Sequence, residues 1–232
     1  MYTLYIGNKN YSSWSLRPWA LLTALDIPVE EILIPFDDGG SWQKFRTFSP
    51  TGLVPCLHDG DIVVWESLSI VEYIAEAHPQ VWPTDPVIRA WARSATAEMH
   101  AGFNNLRNEC AMTVGLRIQL HQQSAGLGDD LKRLAELWQQ GLQSFGGPFL
   151  TGDHFTAVDA FYAPVVFRIQ TYGLELPAAA QTYVQHMLAQ PVMQRWTVEA
   201  LQESYREPSH EDEIAARGQW LQDLRAPLKA GS

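Results

Sequence analysis

At 232 residues, with 46% hydrophobic and 18% charged side chains and nine Trp, nine Phe and eight Tyr, the chain excludes intrinsic disorder and can build one large core or two unequal domains. A formal net charge of −10, from 16 basic and 26 acidic residues with no Lys/Arg cluster, opposes binding to nucleic acid or to an anionic membrane. Met1 to Ile6 carries no basic leader region and no run of about 18 apolar residues is present, so a cytoplasmic protein is expected.

Residues 2–7 (Tyr-Thr-Leu-Tyr-Ile-Gly) mix aromatic and β-branched side chains ahead of an Asn-rich turn, the pattern of a short strand. A helix follows, with Ser12, Ser13 and Ser15 as candidate caps, Pro18 in its first turn and an apolar stretch from Trp19 to Leu25. Val29 to Ile34 reads as a second strand, parallel to the first if the helix is a crossover. A short helix fits around 42–48. Val54 to His58 and Ile62 to Trp65 flank Asp59-Gly60-Asp61, and Asp-Gly between apolar runs is a strong hairpin signal. From Ser67 to Ala77 the apolar period becomes helical. The order is β-α-β, α, β-β-α.

The Pro-rich stretch from His78 to Pro86 reads as a linker, which divides the chain into a first domain at 1–78, a linker at 79–85 and a second domain at 86–232. Beyond it only helical patterns are read, at about 86–123, 129–145, 157–170, 178–189 and 191–204, so the second domain is expected to be a helical bundle. The tail after Glu207 is charged and expected to pack loosely. Cys56 and Cys110 form neither a CxxC nor a metal-type spacing, so no disulfide and no metal site is expected.

Chemistry is expected first in the loop after strand one. There a helix N-terminus offers unpaired N–H groups and partial positive charge, and Tyr11-Ser12-Ser13-Trp14-Ser15-Leu16-Arg17 adds hydroxyls. A hydroxyl that donates to a thiolate stabilises the charged form and lowers the thiol pKa. A free thiol is only about 3% ionised at pH 7, and a drop of about two units makes it mostly thiolate. Each of these serines also fits a plain cap. Val54-Pro55 opens the third strand, either as an edge proline or as a cis turn that offers the Val54 backbone to an extended peptide. At Glu66-Ser67 a helix start would take a carboxylate at its N–H groups and the Ser67 hydroxyl, and an ammonium at Glu66.

A thiolate site, a peptide clamp and an amino-acid site are the three needs of γ-Glu-Cys-Gly. Ser12-Ser13-Trp14-Ser15-Leu16-Arg17, Val54-Pro55, Glu66-Ser67 with Ile70, and Thr156-Ala157-Val158-Asp159 together resemble the glutathione transferase family over residues 1 to about 205, with a serine loop similar to that of the zeta and related classes. The resemblance implies an α/β thioredoxin-like N-terminal domain, an all-α C-terminal domain, glutathione as co-substrate and a homodimer. It implies Ser12 as the thiol-activating hydroxyl, with Ser13 as its competitor, and Val54, Pro55, Glu66 and Ser67 as glutathione contacts. Glu98 to Phe103 with Leu106-Arg107 looks like a signature of some bacterial members and implies a second-substrate pocket from Trp14, His100, Phe103, Asn104 and Arg107, the last four on one helix face. Thr156 and Asp159 fit a capping box. Two departures matter. Leu53 stands where members often carry Lys, leaving Lys44 for the glycyl carboxylate, and Trp14 stands where the zeta motif has Cys, which counts against maleylacetoacetate-type isomerisation. Three functions are therefore open: thiolate transfer to an electrophilic small molecule, glutathione-dependent cis-trans isomerisation, and a non-catalytic binding scaffold.

Overall fold

The computed structural model describes residues 1–38 and 40–227. β1 (Tyr2–Ile6), α1 (Ser13–Ala24) and β2 (Val29–Leu33) form a βαβ unit with parallel strands, Ile6 opposite Leu33. After the single turn α2 (Trp42–Phe45), β3 (Cys56–Asp59) and β4 (Ile62–Trp65) make the expected hairpin. Asp59 pairs with Ile62, so Gly60 and Asp61 form a two-residue loop, with Gly60 at a left-handed φ of 58° that a side chain would resist. β3 runs antiparallel to β1 and gives a mixed sheet in the order β2-β1-β3-β4. α3 (Ser67–Ala77) matches its expected bounds and packs with α1.

A 3-10 turn at Pro79–Val81 leads to α4 (Pro86–Ala101), capped by Asp85, whose carboxylate accepts from the N–H groups of Val87 and Ile88. The helix expected over 86–123 is broken. α4 stops at Gly102, Phe103 adopts a left-handed φ of 53°, and α5 (Asn104–Glu109) starts anew. β5 (Leu116–Leu120) follows, with Leu116 and Ile118 buried and Arg117 and Gln119 turned away, a two-residue period that is a strand signature. α6 (Ala125–Phe145), α7 (Ala157–Tyr172), α8 (Ala178–Leu188) and α9 (Pro191–Gln202) then complete the bundle.

Residues after Glu207 are also more ordered in fold than expected: α10 (Pro208–Arg217) leads into β6 (Gly218–Asp223), which pairs antiparallel with β5. The second domain is thus helical with one two-stranded ribbon. Residues 228–232 of the expected loose tail lie outside the described residues.

α7 is buried on nearly every side and packs against α1 and α4, so one hydrophobic core runs from Leu4 and Leu57 of the sheet through Trp19 and Phe161 to Trp138 and Trp196. The capping box closes as expected: Thr156 and Asp159 satisfy each other's backbone N–H groups at the head of α7. Among the described residues no helix is long and apolar enough to cross a membrane.

Candidate active site

The loop between β1 and α1 carries the serines. Ser12 caps α1, its hydroxyl accepting from the Ser15 N–H at 3.4 Å and donating to Ser15 Oγ at 2.6 Å, while Ser15 Oγ accepts the Gly7 N–H. Ser13 is 7% exposed and takes no part in this network. The loop is anchored from both sides. Lys9 Nζ lies buried between the Trp19 and Trp196 rings and pairs with Glu31 at 2.7 Å and with Glu199. Asn10 bonds Glu203 and the Ala200 carbonyl of α9, and the Trp196 indole donates to the Lys9 carbonyl.

Two adjoining cavities meet at Trp14, Leu53 and Val54. One, of about 400 Å³, is lined by Trp14, Thr51, Leu53, Val54, Pro55, Glu66 and His100. The other, of about 280 Å³, holds Ser12, Ser13 and Trp14 with Arg107, Arg168 and Met112. The Val54–Pro55 bond is cis, one of the two alternatives the sequence leaves open. Glu66 sits at φ 69°, a conformation a non-glycine residue adopts at a cost of about 1–3 kcal/mol, and such a constraint commonly marks a ligand-facing backbone. Glu66 provides no side-chain cap, which leaves the first N–H groups of α3 without one, and the Ser67 hydroxyl beneath is buried without a partner.

Trp14 is held among cations. The Arg17 guanidinium lies 4.0 Å from its ring centre and that of Arg107 5.4 Å, with the His100 ring edge-on at 5.4 Å. Burial pushes the Arg17 guanidinium down to about 9, with the charges of Arg168 and Arg107 adding to the effect. Burial likewise lowers Arg168 to about 10, and it lowers His100, which the charge of Arg17 depresses further.

The sequence-derived set is therefore only partly brought together. Ser12, Ser13, Trp14, Val54, Pro55, Glu66, His100 and Arg107 line the paired cavities. Lys44 does not: its ammonium donates to the Pro35 carbonyl and pairs with Asp37, each at 2.9 Å. Phe103 belongs to the core, edge-on to Tyr162, and Asn104 is exposed with its side-chain oxygen accepting from Arg107. The break at Gly102 removes the single helix face on which these were expected. Sequence reasoning missed Arg168, whose signal was one guanidinium inside the apolar run of α7. It also missed His210 and Glu213 of α10, which line the smaller cavity from the far end of the chain.

Both cysteines are free and buried, with burial pushing the Cys56 thiol up to about 11 and that of Cys110 up to about 12, so neither supplies a nucleophile. Among the described residues no cluster of His, Cys, Asp and Glu is arranged to hold a metal ion.

A thioredoxin-like domain with a serine loop and a cis-proline, closed by a helical domain, defines a glutathione-using enzyme of transferase type. The model of the glutathione S-transferase N-terminal domain matches residues 11–77 and that of the C-terminal domain residues 119–197. The chain belongs to the glutathione S-transferase family. It is 27% identical over 177 residues to the maleylacetoacetate isomerase of Rattus norvegicus, an alignment covering 75% of this chain and 80% of the relative. Among solved structures, a glutathione transferase homologue from Burkholderia gl BGR1 with bound glutathione is similar at TM-score 0.64 and 21% identity, covering 86% of this chain and 97% of the other. A diazinon-metabolizing glutathione S-transferase of Bombyx mori is similar at TM-score 0.67 and 18% identity, with 86% and 97% covered.

Proposed function

We propose that the chain binds glutathione across the paired cavities and delivers it as a thiolate to an electrophilic carbon of a small molecule. The γ-glutamyl end lies at Glu66 and the head of α3, the cysteinyl backbone pairs with Val54, and the thiol points to Ser12 and Ser13. The observation that carries this reading is that both serines, Val54 and Trp14 line one cavity, so a thiol seated beside the hydroxyls also faces the space for a second molecule. Ser12 activates the thiol in this reading. Its hydroxyl, which donates to Ser15 Oγ at 2.6 Å, rotates its hydrogen to the bound thiolate when glutathione is seated. A drop of about two units in the thiol pKa, roughly 2.7 kcal/mol, makes the nucleophile the main form at pH 7. The thiolate sulfur then forms the new bond, and the leaving group departs with its electron pair.

Lys44 is no longer part of this reading, since its ammonium is engaged by Asp37 and Pro35. The domain division at 1–78, 79–85 and 86–232, a cytoplasmic location and a homodimer belong to the same proposal. A second reading, glutathione-dependent cis-trans isomerisation, is favoured by the name of the rat relative and disfavoured by Trp14.

The test is a pH titration of glutathione thiolate absorbance on the wild type, Ser12→Ala and Ser13→Ala. The wild type should ionise the bound thiol well below its free value and Ser12→Ala should abolish the shift. Loss in Ser13→Ala alone reassigns the role to Ser13, and glutathione bound with an unshifted thiol supports the non-catalytic scaffold.

A further inference from the structure

Buried cations are rare without partners, because an ionised group removed from water needs compensating charge or hydrogen bonds. Three guanidiniums gather here without an ion pair among the described residues. Arg17 is 0% exposed, and its Nε and Nη1 have no hydrogen-bond partner. Arg168 is buried, donates through Nε to the Cys110 carbonyl, and leaves Nη1 unpartnered. Arg107 donates only to neutral oxygens, the His100 carbonyl and the Asn104 side chain. Beyond the effect of burial, the charges of Arg168 and Arg107 lower the Arg17 guanidinium and that of Arg107 lowers Arg168, so the three lie within electrostatic reach, while Glu66 acts on Arg17 and Asp130 on Arg107 in the opposite sense. Arg107 and Arg168 line the same cavity as Ser12 and Ser13, Arg17 lies directly beneath Trp14, and among the described residues the one carboxylate lining that cavity is Glu213. Besides the polar groups of Tyr11 and His210, the remaining wall is apolar, from Phe36, Phe45, Leu53, Ala111 and Met112.

We propose that this arginine group is the anchor for a single anionic substituent, a carboxylate, on the second substrate, and that the substrate class is an apolar electrophile carrying one such group. The inference rests on the glutathione-transferase reading above and adds to it the chemistry of the acceptor. A carboxylate takes paired N–H donors from guanidinium in a fixed geometry and supplies the missing counter-charge. The apolar wall takes the body of the molecule, and one cationic locus in a cavity of about 280 Å³ selects a compact monoanion. In the reaction the thiol proton leaves to solvent on ionisation, the sulfur bonds the electrophilic carbon, and the leaving group takes the electron pair of the broken bond.

The experiment compares 4-(chloromethyl)benzoate with 4-(chloromethyl)benzamide, in which the carboxylate is replaced by a neutral group of similar size and chloride is the leaving group in both. Uncatalysed rates are measured and divided out. On the wild type at low salt, kcat/KM should favour the acid by at least about tenfold, and benzoate should inhibit more strongly than benzamide. In Arg107→Gln, a half-buried position that tolerates change, the ratio should fall to within about threefold of unity, and in Arg168→Gln likewise. If Arg168→Gln does not fold, Arg107→Gln and wild-type inhibition decide. A wild-type ratio near or below one, with glutathione thiolate formed normally, overturns the anion site alone, as does a ratio unchanged in the variants. Absence of the thiolate on the wild type instead overturns the underlying reading.

Discussion

Replacing Asp159 by alanine removes the group on which the head of α7 depends. The carboxylate is fully buried and accepts from the Leu150 N–H at 3.0 Å, the Thr156 N–H at 3.0 Å and the Tyr183 hydroxyl at 2.9 Å. Each of these donors is enclosed, and an enclosed donor left without an acceptor costs about 1–3 kcal/mol. Removing the carboxylate also relieves its own burial, so the lower end applies and the net loss is roughly 3–4 kcal/mol. For a chain of this size that is a fall in Tm of roughly 6–16 °C. Far-UV circular dichroism during heating measures it. Asp159→Asn, which keeps the volume and one acceptor, should lose less. An alanine variant melting within about 2 °C of the wild type would refute the argument that this carboxylate holds the two segments together. Burial pushes the Asp159 carboxyl up to about 6, against about 3.9 in an unfolded chain, so between these values the folded protein holds a proton that the unfolded chain has released. This contribution to stability is full below about pH 4 and is lost as the pH rises through about 6. The wild type should therefore gain on Asp159→Asn between pH 7.5 and pH 5, and an unchanged gap contradicts the sign.

At Gly102 a Cβ would lie 2.8 Å from the Glu98 carbonyl oxygen, so Gly102→Ala should cost about 1–3 kcal/mol in urea unfolding and disturb the turn that places Arg107; a neutral result contradicts the contact. Neither Cys56 nor Cys110 should react with a thiol reagent in the native protein, and both should react after denaturation; one fast native thiol would reopen a cysteine mechanism.

How much of this was legible in the chain depends on how local each signal is. The hairpin around Gly60, the helix at Ser67–Ala77 and the capping box of Thr156 and Asp159 are set by residues within a few positions of one another, and each was readable. The ribbon of β5 and β6 was not, because its two strands lie about a hundred positions apart and the alternation in Leu116 to Leu120 is submerged in a longer apolar pattern. Serines, cis-proline and Glu66 were readable as site candidates because a short loop, a strand start and a helix start are local features. The pairing of Lys44 with Asp37, seven residues earlier across the turn, was not legible, because no local spacing rule brings those two side chains together. Arg168 escaped because a charge on a helix buried on all sides can be judged only once the partners of that helix are known.

The paired cavities lie mostly on N-terminal residues, yet their placement is held from the other end of the chain. Lys9 and Asn10 tie the serine loop to α9 through Glu199, Glu203 and Trp196. The next residue, Tyr11, stacks on His210 at 4.9 Å and donates its hydroxyl to Glu211, which Arg225 clasps with Asp223 on its other side. Lys9, Asn10 and Arg225 are buried while their carboxylate partners are partly exposed, so each contact keeps one end out of water and holds its geometry better than a fully exposed surface pair would. Three consecutive residues immediately before Ser12 are thus fixed by residues 196–225, and the orientation of the serine hydroxyls is a property of the docked domains. An isolated thioredoxin-like half would keep the serines but not their aim, and that is the physical reason a motif at residues 12–17 has meaning only within the whole fold.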